Sequence, residues 1–148
     1  MKSSNVEQLL SQQEEQDVIE AIRNAERETS GEIRVHIESS SGELSPLKRA
    51  SEVFHYLKMD NTAERNGVLI YVAAKDKTFA IYGDKGINKV VPKNFWETTK
   101  DTIQNHFRHK NFKLGLTQGI QKAGEELKEH FPWQHDDVNE LPDQISKN

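Results

Sequence analysis

Residues 67–74 read GVLIYVAA, an unbroken apolar run, and three polar residues, Lys75, Asp76 and Lys77, separate it from TFAIYG. Eight apolar residues are of strand length and far short of the roughly 20 needed to cross a bilayer as a helix. A strand apolar on both faces belongs in the middle of a sheet with helices packed above and below it. Two strands joined by so short a link pair antiparallel. These two strands therefore restrict the chain to a layered α/β fold.

The flanking segments supply the layers. SQQEEQDVIEAIRNAERETSGE sets Ser11 three residues before Glu14, a capping box, and spaces Val18, Ile22 and Ala25 along one helical face. After Gly31, EIRVHIES alternates Ile33, Val35 and Ile37 with Glu32, Arg34 and His36, as a half-buried strand does. SPLKRASEVFHYLK has a cap at Ser45, Pro46 at the first helical position, and Leu47, Ala50, Phe54 and Leu57 at helical spacing. Two more helices follow, with Trp96, Ile103 and Phe107 on one stripe and Leu116, Ile120, Ala123 and Leu127 on the other.

The expected fold class is α/β, a three-layer α/β/α sandwich around a mixed, mostly parallel sheet with one antiparallel hairpin. Residues 1–10 read as a flexible N-terminus, 11–131 as the domain, and 132–148 as a polar tail that Phe131, Trp133 and Leu141 pin in places.

Charge and composition remove several kinds of chemistry. A formal net charge of -4 gives no global positive field to gather nucleic acid or anionic lipid. The chain has no cysteine, so disulfides, thiolate metal sites and cysteine nucleophiles are absent. The first 16 residues hold no apolar run of signal-peptide length, and the chain reads as cytoplasmic and free of membrane segments. It has no P-loop pattern and no Asp-x-Asp nucleophile motif followed by Thr, which leaves catalytic residues unassigned and metal-activated water as the hydrolytic chemistry open to it.

Topology then gathers the remaining polar residues. A β-α-β crossover makes the first two strands parallel neighbours that start at one edge, and the third strand, running back, ends there. TSGE, RNG and GDKG meet at that edge, bringing Glu32, Asn66 and Asp84 towards one cluster. Two carboxylates and an amide oxygen are hard ligands suited to calcium or magnesium. Arg65 and Lys85, beside them, are candidate contacts for a phosphate group. Each residue also has a structural reading: Glu32 as a surface residue at a strand start, Asn66 as a cap or turn residue, Asp84 as an acceptor of backbone N–H groups in its own turn.

Three blocks, AIRNAERETSGEIRVHI, RNGVLIYVAAKDKTFAIYGDKGI and FKLGLTQGIQKAGEELKEHFP, together resemble the TPM domain, a family of bacteria and plant thylakoids, over residues 11–131. The resemblance implies an α/β/α sandwich. It also implies a site that includes Glu32, Asp84 and Asn66, and a function drawn from those described for members: acid phosphatase, calcium binding, or photosystem II repair. The expected function is binding of Ca2+ or Mg2+, with weak metal-dependent phosphomonoester hydrolysis; the alternative is a non-catalytic interaction module whose loops the ion orders. The expected partners are a divalent cation and a phosphorylated small molecule or protein.

Overall fold

A computed structural model of the chain describes residues 5–134 and 141–148. Among these residues the elements run α1 (Asn5–Leu9), α2 (Gln12–Glu26), β1 (Glu32–Glu38), α3 (Pro46–Tyr56), β2 (Gly67–Ala73), β3 (Thr78–Gly83), α4 (Lys85–Asn88), α5 (Glu97–Arg108), α6 (Phe112–Lys128) and β4 (Ser146–Lys147). The strands lie in the order β3-β2-β1-β4. β1 is parallel to β2 and to β4, and β2 is antiparallel to β3. This is the mixed sheet with one antiparallel pair that the sequence predicts.

The helices start where their caps place them. Ser11 Oγ accepts from the Glu14 N–H at 3.1 Å while Glu14 Oε1 accepts from the Ser11 N–H at 2.9 Å, closing the capping box of α2. Ser45 Oγ accepts from the Lys48 N–H at 3.2 Å, and Pro46 opens α3 with no donor to lose.

Every residue of β2 is buried, because its two faces feed two cores. Val68, Ile70 and Val72 join Ile33, Val35 and Ile37 of β1 under α2, α5 and α6; Leu69, Tyr71 and Ala73 meet Ala50, Val53 and Phe54 of α3. Each such aliphatic or aromatic side chain contributes about 1.5–3 kcal/mol on burial. Close helix packing needs small residues: a Cβ on Gly124 would stand 2.9 Å from the Ala25 Cβ, so glycine lets α6 lie against α2.

Two parts of the chain are more integrated than their composition suggests. Residues 5–9, read as part of a flexible leader, form α1, because Val6, Leu9 and Leu10 at helical spacing give it a buried apolar face. In the tail, Leu141 is buried, Ser146 and Lys147 pair with His36 and Ile37, and the Asn148 N–H donates to Ile37 O at 3.1 Å. Trp133, read as an anchor, stays 45% exposed. The tail and α3 cover the polar face of β1, so Glu32, His36 and Glu38 are buried rather than solvent-facing. No helix among the described residues is long and apolar enough to cross a membrane.

Candidate functional site

The three segments do meet at the edge where β1 and β2 begin. The Glu32 N–H donates to Asn66 O at 3.2 Å, the Asp84 N–H to Gly67 O at 3.0 Å, and the Gly86 N–H to Arg65 O at 2.8 Å. Gly86 makes the last contact sterically feasible, since a Cβ there would fall 2.1 Å from Glu64 O and 2.6 Å from Arg65 O. Both obstacles are backbone, so they cannot swing aside. Gly86→Ala is expected to cost about 1–3 kcal/mol. A thermal melt should show a fall of about 2–4 °C per kcal/mol, and an unchanged midpoint would mean the loop opens freely.

Within that frame Asp84 has two partners. Its Oδ1 accepts from the Lys85 N–H at 2.7 Å, capping the short α4, and Arg65 grips both oxygens, Nε to Oδ2 at 3.0 Å and Nη2 to Oδ1 at 3.3 Å. Arg65 reaches it from a left-handed backbone conformation, φ 52°. The Lys85 side chain is exposed. Asn66, 1% exposed, donates through Nδ2 to Ser30 O and to Glu64 Oε2, each at 3.2 Å. Those two acceptors fix the amide's orientation and leave Oδ1 buried without a partner.

Glu32 and Asp84 flank Gly67 in one lateral row of the sheet. Glu32 is the register partner of Gly67, and Asp84 continues the β2–β3 register to the same residue. Their Cα atoms are therefore two strand spacings apart, about 9.5 Å. Over Gly67, on the face both side chains share, lie the Met59 carbonyl oxygen, 3.0 Å from where a Cβ would stand, and the Phe54 ring at 3.6 Å. The row thus reads carboxylate, carbonyl, carboxylate; Asn66 precedes Gly67 along the chain, outside that row, and strand alternation turns its side chain from the face Gly67 presents.

Glu32 is drawn away from Asp84, towards Glu26 at the end of α2. Glu26 accepts from the Ile33 N–H at 3.2 Å and is hydrogen-bonded to both Asp143 and Glu32. Burial, followed by those two acidic neighbours, pushes Glu26 far above the carboxylate range, so it carries a proton at neutral pH. A raised carboxyl pKa favours the fold fully below the ordinary value of 4.5 and loses that advantage as pH rises towards the folded value. Glu26→Gln keeps the acceptor for Ile33 and needs no proton. It is expected to raise stability at pH 8 by about 1 kcal/mol or more and to flatten the decline between pH 6 and 9. Denaturant curves across that range would check it, and parallel curves for both proteins would show that Glu26 ionises in the fold.

Sequence reasoning missed a second polar constellation at the other end of β1. Glu38 accepts from Arg49 Nε at 2.7 Å and Nη2 at 2.9 Å, from Asn148 Nδ2 at 2.9 Å, and from the Tyr71 hydroxyl. A signal was present: Tyr71 is the polar-tipped residue of GVLIYVAA, and a buried hydroxyl needs a partner. Burial lowers the pKa of the neighbouring His36, leaving it neutral, with Nδ1 2.9 Å from Ser146 Oγ. His106, in the last turn of α5, bonds across to Gln118 Oε1 of α6 at 2.7 Å, and His109, which follows that helix as its cap, bonds back to Asn105 O at 2.9 Å.

Among the described residues no three Asp, Glu, His or Cys side chains are arranged to hold a metal ion. The TPM domain model matches residues 4–126. The NMR structure of BA42 protein from the psychrophilic bacterium Bizionia argentinensis is similar with 57% identity and a TM-score of 0.90, over 97% of this chain and 98% of that one. An N-terminal domain from P. gingivalis shares the fold at 21% identity, TM-score 0.68, over 86% of this chain and 83% of that one. The N-terminal domain of cg2496 from Corynebacterium glutamicum shares it at 10% identity, TM-score 0.65, over 100% and 89%. No functionally curated protein matches the chain.

Proposed function

The chain belongs to the TPM domain family, and from that premise we propose that it binds a divalent cation, Ca2+ or Mg2+, at the edge where Glu32, Asn66 and Asp84 meet. The observation that carries this reading is Asn66 Oδ1, a buried amide oxygen left without a partner. An orphaned acceptor costs about 1–3 kcal/mol, and a hard cation removes that cost. The two carboxylates and the Met59 carbonyl are further hard oxygen donors at this edge, and gathering them about Asn66 Oδ1 requires Glu32 to leave Glu26 and Asp84 to leave Arg65.

In the cation-free protein Asp84 is paired with the Arg65 guanidinium, and Glu32 is hydrogen-bonded to Glu26. A divalent ion has to draw both carboxylates away from these partners. Titration with CaCl2 or MgCl2 should move the amides of residues 30–32, 66–67 and 83–86 together in one saturable process. Scattered, non-saturating shifts over the acidic tail would reduce the effect to surface screening and sink the proposal.

Phosphomonoester hydrolysis is the second reading, and the cationic side chains at the same edge favour it. A bound divalent ion with an open position supplies Lewis-acid polarisation and an activated water. Exposed Lys85 is free to meet a phosphate, whereas Arg65 first has to leave Asp84. Turnover of a chromogenic phosphomonoester that depends on the cation and disappears in Asp84→Ala supports hydrolysis. Cation binding without turnover assigns the domain to ion-ordered interaction alone.

A further inference from the structure

The sheet has two unlike edges: β4, two residues long, pairs with β1 at His36 and Ile37, and the six-residue β3 forms the opposite edge. Because the Asp84 N–H bonds Gly67 O, alternate residues Thr78, Ala80 and Tyr82 turn their backbone groups towards β2, and Phe79 and Ile81 turn theirs outward. Among the described residues no backbone group pairs with these two. Gly83 O, next in the outward set, is already taken by Asn88 Nδ2 at 3.2 Å.

Proteins commonly guard such an edge with a lysine. The lysine at the start of β3 does not serve this way: Lys77 Nζ donates to Ala74 O at 3.1 Å and lies 5.4 Å over the Phe112 ring. What borders the edge is a groove of about 510 Å³ with Phe79, Ala80 and Ile81 as its floor. Pro46 and Leu47 of α3 form one wall, and Lys100, Asp101 and Gln104 of α5 the other. Leu47 is 55% exposed there.

The two ends of the groove differ in charge, and Lys100 and Asp101 between them balance each other. Trp96 Nε1 would lie 3.5 Å from a Cβ on Gly83, and the Phe107 ring is 5.4 Å from Phe79, so α5 runs opposite to β3. Glu97 consequently stands at the Gly83 end and Lys77 at the Thr78 end.

We propose that β3 is a docking edge for an extended peptide of a partner protein, which adds as a fifth strand antiparallel to β3. The Phe79 and Ile81 backbone groups give it four hydrogen bonds, and its alternate side chains divide between two walls. Apolar residues pack on Pro46 and Leu47; on the α5 side a basic residue lies near Glu97 and an acidic residue or carboxylate near Lys77. This surface is separate from the cation edge and does not depend on it.

The heptapeptide KVTVTVE presents that pattern. Its addition should shift the Phe79 and Ile81 amides saturably and slow their exchange with solvent. Leu47→Glu should weaken binding by about tenfold or more, equivalent to roughly 1.4 kcal/mol, with the remaining amide spectrum unchanged. The proposal is overturned if those two amides stay unmoved at millimolar peptide. It is equally overturned if a peptide N-methylated at its two threonines, whose N–H groups face Phe79 and Ile81, binds as well, or if EVTVTVK does. Concentration-dependent dimerisation that moves the same amides without peptide would assign the edge to a second copy of this chain and also overturn it.

Discussion

Glu38→Ala is expected to lower the unfolding free energy by about 2–3 kcal/mol, the cost of leaving the donors around this buried carboxylate without an acceptor while the Arg49 guanidinium, 30% exposed, is rehydrated in part. The Glu38 side chain is 6% exposed and Arg49 meets it with both Nε and Nη2. Truncation leaves the Arg49 guanidinium, the Tyr71 hydroxyl and the Asn148 amide facing a cavity. Glu38→Gln preserves the volume but turns an amide donor towards these donors, so an intermediate loss is expected.

Acid should reveal the same network. Burial works to raise the Glu38 pKa, but the hydrogen bonds from Arg49, Tyr71 and Asn148 outweigh it and hold the carboxyl at about 2, against an ordinary 4.5. A depressed carboxyl pKa gives stability that is complete above the unfolded value and is lost as pH falls through the folded one. The window therefore runs from about 4.5 down to about 2, and the gap corresponds to about 3 kcal/mol. Urea unfolding from pH 7 to 2 should show the wild type losing that increment relative to Glu38→Gln. A Glu38→Ala protein within 1 kcal/mol of wild type, roughly the value of a surface pair, would show that solvent already satisfies these groups.

How much of this could be read from the chain differs between backbone and side chains. Strand pairing followed from local pattern: the apolar run at β2 and the three-residue link fixed one neighbour, and the crossover through α3 fixed the other. The convergence of Glu32, Asn66 and Asp84 followed from strand direction alone, because parallel strands joined by a helix must begin together.

Partner choice at the site followed no such rule. Arg65 precedes Asn66 in sequence, yet it reaches Asp84 only because its backbone adopts φ 52°, a conformation its sequence does not signal. Glu26 comes near Glu32 because the last turn of α2 lies beside the start of β1. The polar face of β1 read as exposed because its cover lies over 100 residues away in the tail; the His36–Ser146 pair alone spans 110 residues. Alternation identifies which residues share a face; it does not say what packs on that face.

The largest functional effects are expected at the edge itself, and they differ in sign. Arg65 and a divalent cation compete for Asp84, so Arg65→Gln removes the competitor along with a positive charge near the ion. Its cation affinity should rise by about tenfold, as expected for losing one unit charge several ångström away in a partly solvated site. Asp84→Asn removes the opposite charge and should weaken affinity by about tenfold or more, and Glu32→Gln should do the same, since affinity follows ligand charge. Arg65→Gln in the Asp84→Asn background should then gain less than in the wild type, because the two side chains act through one contact. Isothermal titration of the wild type and the four variants with CaCl2 measures each term. The decisive comparison is Arg65→Gln with Asp84→Asn: if neither changes cation affinity while both lower the melting temperature, the acid of GDKG exists to tie RNG to the end of β3, and no ion binds between the strands.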